Sequence, residues 1–199
     1  MAGLSVFDLV IFLALLAMFI VGYAQGVIRR LLGIGAILFS LILAAQLRDP
    51  VGRYLAQEWG ALLPAYSFMV AFGAVFVAAA VTLSLGIQLT YRPSPLFPKY
   101  PVLDEILGGI LGVVEGFLII IAIMLIIEPY YNIPEVRETV GVGEFRPLRT
   151  LYEFLQPTLI AAVLRDNVIP ALFFVVGILF PSDVRNAFAQ AAQTLVARR

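Results

Sequence analysis

Long apolar runs separated by short polar breaks set the pattern of this chain. The first run is Leu4 to Tyr23, with one charge, Asp8, near its start. Gly22-Tyr-Ala-Gln-Gly26 predicts a tight turn, followed by Arg29 and Arg30 and then a second run, Leu31 to Leu47. Tyr66 to Leu89 and Leu103 to Ile127 are the third and fourth runs. A helix crosses bilayer hydrocarbon with about 20 mostly apolar residues. The pattern therefore predicts an all-α integral membrane protein with four transmembrane helices, at about 4–23, 31–47, 66–89 and 103–127. The short first linker forces the first two helices into an antiparallel hairpin.

The breaks carry patterns of their own. Val51, Tyr54, Leu55, Trp59 and Leu62 recur at helical spacing, with Arg53, Gln57 and Glu58 off that stripe. This predicts an interfacial amphipathic helix over 50–63, anchored at headgroup level by Tyr54 and Trp59; a tilted start to the third span is the alternative. Pro93, Pro95, Pro98 and Pro101 exclude a continuous helix from Thr90 to Pro101. Tyr130 to Glu144 is polar and reads as an exposed connection. Leu148, Leu151, Tyr152, Leu155, Leu159 and Val163 then form a helical stripe broken near Pro157. Arg165 and Asp166 separate it from Val168 to Phe180, which is apolar but too short to span. The expectation here is a re-entrant or membrane-associated helical pair, with a fifth, irregular span as the alternative. Ser182-Asp183 resembles a helix cap, and Val184, Ala187, Phe188, Ala191 and Leu195 predict an amphipathic tail. The chain thus divides into a four-helix membrane domain, 1–128, and a linker with membrane-associated helices, 129–199.

Composition agrees with lipid as the solvent. Hydrophobic residues make up 62% of the 199 residues and charged ones 13%, and the mean hydropathy is +1.01. A soluble domain carries about 45–50% apolar and roughly 25% charged residues. The first run lacks a preceding Lys or Arg and is too long for a cleavable signal, so it reads as a retained helix. Net charge is zero, which offers no basic field to nucleic acid. The chain has no Cys and no His. That removes thiol nucleophiles, Cys-ligated metals and the commonest general base. No enzyme chemistry and no cofactor are expected.

The fourth run holds the sharpest pattern. Gly108, Gly112 and Gly116 recur every four residues and share one helix face, and Gly22 and Gly26 at the first turn are further helix-packing positions. Such faces let helices approach closely. The partner is either another helix of the chain or a second copy. Glu115, three residues from Gly112, lies on the same side, about 15 Å below Asp104 and Glu105. A charged carboxylate at that depth costs roughly 2.5–3.5 kcal/mol and marks either a functional group or an ion-paired packing residue. Four spans put Arg29 and Arg30 on the same membrane side as Asp104 and Glu105. A charge network is expected in which Arg30 pairs with Glu105 or, deeper, with Glu115. Arg29, Arg30, Arg92 and Lys99 outnumber Arg48 and Arg53 on the other side. The positive-inside rule then places the four in the cytoplasm and both termini outside it.

These motifs resemble the CvpA (colicin V production protein) family. Gly22, Gly26 and Arg29 match its Gly-x3-Gly-x2-Arg hairpin turn. Leu103, Asp104, Leu107, Gly108, Gly112 and Gly116 match the opening of its later span. The resemblance covers roughly residues 4 to 127, with a looser echo near Pro157 to Pro181. It implies a bacterial inner-membrane protein associated with colicin V production or export and with envelope function. The family usually has an acidic residue where this chain has Arg30. It usually has a basic one where this chain has Glu105, and often where it has Glu115. An ion pair with exchanged partners would produce those reversals. Some relatives carry an extracytoplasmic protease domain after the four spans; no such domain is read in 129–199.

Three function classes follow. The first is a non-catalytic scaffold or accessory factor, with the lipid bilayer, other envelope membrane proteins or further copies of itself as partners. The second is a subunit of an oligomeric channel or transporter using Glu115. The third, an intramembrane enzyme, lacks paired aspartates, a Ser with a base, or a metal cluster in the sequence.

Overall fold

The computed structural model describes residues 6–60, 63–91, 96–97, 99–133, 136 and 145–180. Among them every regular element is helical. Four helices are long and apolar enough to cross a membrane: α1 (Val6–Gln25), α2 (Val27–Glu58), α3 (Pro64–Thr90) and α4 (Pro101–Tyr131). The predicted all-α membrane fold is therefore the observed one.

A single residue, Gly26, separates α1 from α2. Its φ of 75° lies in the left-handed region that side chains avoid, and its N–H donates to the Gly22 carbonyl at 3.0 Å. Neighbouring contacts fix the helix directions. Gly22 meets Gly108, Met18 meets Gly112 and Leu15 meets Gly116, so α1 runs antiparallel to α4. Val27 lies by Asp104 and Arg30 by Glu115, so α2 runs parallel to it. Gly73 on α3 faces Ile126, and Ser84 shares a cavity with Glu115, which makes α3 antiparallel to α4. The bundle is up-down-up-down. α4 sits at its centre, with α1 on one flank and α2 on the other, while α3 packs along α2. The buried core gathers Leu41 and Ala44 from α2, Ala71 and Phe72 from α3, and Ile121, Met124 and Leu125 from α4.

Two expectations are corrected here. The separate interfacial helix over 50–63 does not form. Residues 51–58 instead complete α2, which continues through Pro50. Proline removes one backbone donor but holds φ at a helical value, and packing on α3 keeps the segment in line. A Cβ on Gly52 would sit 2.8 Å from Cε1 of Phe68, and the Arg48 guanidinium lies 5.7 Å from that ring's centre. At about 1.5 Å per residue, α2 is some 48 Å long and overshoots the hydrocarbon. Tyr54 and Trp59 are exposed near that overshooting end. The second correction concerns Tyr130 and Tyr131, expected in an exposed connection. They are the buried last turn of α4. Tyr66, Tyr130, Tyr131 and Tyr152 form a chain of ring contacts 4.9–5.5 Å apart, which covers their apolar faces.

Past α4 come α5 (Arg146–Leu155), α6 (Leu159–Val163), a π-helical turn (Leu164–Val168), α7 (Ile169–Val176) and a 3-10 turn (Gly177–Leu179). The axis bends by 79° at Pro157-Thr158, between α5 and the helical run 159–174. Together the two arms are long and apolar enough for one span, so a broken span and a re-entrant pair both fit. Thr158 makes the break. Its hydroxyl donates to Leu155 O at 2.8 Å and accepts from Ala161 N–H at 3.2 Å. The amphipathic tail expected at 184–195 and Arg92 lie outside the described residues.

Candidate functional site

The α1–α4 seam is built from glycine. Gly22, Gly108, Gly112 and Gly116 are all buried. A Cβ on Gly108 would stand 2.6 Å from the Gly22 carbonyl oxygen and 2.9 Å from the Gly26 Cα. One on Gly112 would strike the Met18 carbonyl, and one on Gly116 would stand 2.8 Å from Leu15 Cδ2. Backbone therefore lies on backbone, and the glycine face is filled by α1 of the same chain.

This close approach carries Asp104 up against the start of α2. Its Oδ2 accepts the Val27 N–H at 3.4 Å and its Oδ1 accepts the Leu96 N–H at 2.9 Å. A Cβ on Gly26 would strike the same carboxylate. Asp104 thus caps α2 from a different helix, where a negative charge also suits the helix dipole. The expected charge network is divided accordingly: Asp104 meets backbone donors and not a guanidinium. Glu105 faces the hydroxyl of Tyr23. Arg30 Nη1 donates to Oε2 of Glu115, joining α2 to α4. Gly33, one turn along α2, makes room: a Cβ there would stand 2.6 Å from the other Glu115 oxygen. Both side chains are largely withdrawn from the surface, 6% and 14% exposed.

Around this pair a polar cavity of about 180 Å³ opens between the ends of α1 and α3 and the start of α2. Gln25, Arg29, Arg30, Ser84, Gln88 and Glu115 line it. Arg30 Nε is buried without a hydrogen-bond partner and has no surface open to the cavity. Arg29 is half-buried, and no described carboxylate pairs with it.

The opposite end of the bundle holds a second constellation that sequence reasoning missed. Glu128, in the last turn of α4, accepts two hydrogen bonds from Arg165, which sits in the π-helical turn. Asp8 is buried on α1 and accepts the Leu159 N–H at 2.9 Å, so it caps α6. The signal for the first was present. Arg165 lies between two apolar stretches, and a cation in such a setting calls for an anion beside it. Below the Glu128–Arg165 pair, Val114, Phe117 and Ile121 face Leu159, Val163 and Val168 across an apolar crevice of about 530 Å³.

No cluster of metal-ligating side chains occurs among the described residues. The carboxylates inside the bundle join helices, and guanidinium and amide donors share a small polar cavity with Glu115. A family model described as colicin V production protein matches residues 7–148, which takes in all four spans and the start of α5. No curated protein and no solved structure matches the chain.

Proposed function

The chain belongs to the colicin V production protein family, and from that premise we propose that it is a non-catalytic scaffold or accessory factor of the bacterial inner membrane, serving colicin V production or export and envelope function. One observation carries this reading. The four acidic groups within or capping the bundle all have partners in the same chain: Glu115 with Arg30, Glu128 with Arg165, Asp104 with Val27 and Leu96, and Asp8 with Leu159. Groups that serve a permeation path need to exchange partners with the passing species. Here they hold helix ends and helix pairs, as a rigid platform for other membrane proteins requires. The positive-inside asymmetry supports placing the Arg29–Arg30 end in the cytoplasm.

A second reading, a subunit of an oligomeric channel or transporter, is favoured by the polar cavity that reaches Glu115. Purified protein in liposomes separates the two. The scaffold passes no ions or solutes, and Glu115→Gln lowers only stability or assembly with partners. A flux that wild-type protein supports and Glu115→Gln abolishes overturns the scaffold reading.

A further inference from the structure

The cavity beside the Arg30–Glu115 pair has chemistry left over once the pair is formed. Arg29 opens onto the same space without a carboxylate among the described residues. Two guanidinium groups and one carboxylate leave the cavity with a single net positive charge. Its neutral lining, Gln25, Ser84 and Gln88, supplies further amide and hydroxyl donors. A donor-rich space with one unbalanced positive charge calls for a monoanion with several acceptor oxygens.

The location narrows the choice. Gln25 is the last residue of α1, Arg29 lies in the first turn of α2 and Gln88 in the last turn of α3. The mouth is therefore level with the helix ends, where headgroups lie, and Glu115 forms the deep wall. Basic pockets between transmembrane helices at that level suit anionic headgroups, and planar guanidinium groups match phosphate oxygens. A volume of about 180 Å³ admits a phosphate group but no large headgroup. We propose that this cavity binds a phosphate monoanion, carried by an anionic phospholipid such as phosphatidylglycerol or free in solution. The inference stands on the cavity alone and does not require the scaffold reading.

Delipidated full-length protein in detergent, titrated with phosphatidylglycerol or phosphatidylcholine and read by native mass spectrometry, tests the lipid source. Calorimetric titration with inorganic phosphate tests the free one. Phosphatidylglycerol should be retained at least tenfold better than phosphatidylcholine. Arg29→Gln should lower that retention about tenfold, the order expected for one charge-assisted hydrogen bond, and Gln88→Leu should lower it less. Arg53→Gln removes an exposed charge elsewhere and should leave it unchanged. Binding of inorganic phosphate that depends on Arg29, with no lipid preference, keeps the site and assigns the free anion. If neither probe binds, or if Arg53→Gln weakens binding as much as Arg29→Gln, the proposal is overturned. Thermal melting of both Arg29→Gln and Gln88→Leu should match wild type, which keeps the comparison free of misfolding.

Discussion

Replacing Gly108 by alanine tests the α1–α4 seam at a point where nothing can swing aside. The new methyl would sit 2.6 Å from the Gly22 oxygen and 2.9 Å from the Gly26 Cα, both backbone atoms. Relief requires α1 to move outward by the better part of an ångström. A gap of roughly 0.5–1 Å forfeits a quarter to a half of the dispersion attraction at each contact along the seam. Overpacking of this kind costs about 1–3 kcal/mol. The same movement draws Gly26 and Val27 from Asp104, whose bond to the Val27 N–H is already 3.4 Å long. Gly86→Ala on α3 is the matched control, because a Cβ there meets nothing within 4 Å. Alanine improves helix propensity by up to about 1 kcal/mol in water, so this variant should be neutral or slightly more stable. Both are read by titrating dodecyl sulfate into detergent-solubilised protein and following helicity by circular dichroism. Gly108→Ala should unfold at a lower sulfate fraction, by about 1–3 kcal/mol, and Gly86→Ala at the wild-type fraction or above. Coincident curves for Gly108→Ala and wild type would refute the close-packed seam.

Three further outcomes follow from the polar contacts. Arg30→Glu and Glu115→Arg each bring like charges together in a largely buried site and should cost about 3–5 kcal/mol; the double reversal should recover at least half, and no recovery in the same unfolding titration would separate the two residues energetically. Asp104→Ala should cost about 1 kcal/mol, the usual value of a lost helix cap, and amide exchange should speed up at Val27 and Leu96 first; uniform acceleration over α2 would contradict a local cap. Glu128→Gln should loosen the C-terminal arms, raising amide exchange across 159–174 at least tenfold while α1–α3 stay protected. Unchanged exchange there would mean that Arg165 does not hold the broken pair to α4.

The four spans were legible because lipid leaves the backbone no alternative to long apolar helices, and the repeat at Gly108, Gly112 and Gly116 marks a packing face on any helix. The partner of that face was not legible. A glycine records that something comes close, not whether the visitor is α1 or a second copy. Pro50 misled in a different way. The amphipathic spacing that follows it made Val51, Tyr54, Leu55 and Trp59 look like a helix of their own, whereas packing on Phe68 carries α2 through the proline. Tyr130 and Tyr131 follow Pro129 and precede polar residues, so they resembled a loop; their rings are buried by Tyr66 and Tyr152, which lie far away in sequence. The charges show the deepest reason. Asp8, Asp104, Glu115 and Glu128 are alike in sequence, each a carboxylate in or beside an apolar run. Two of them meet guanidinium groups and two meet the open N–H groups of helix starts. Both arrangements give the carboxylate hydrogen-bond donors inside the bundle. Composition therefore cannot choose between them; the choice is made by where the chain turns, at Gly26 for Asp104 and at Thr158 for Asp8.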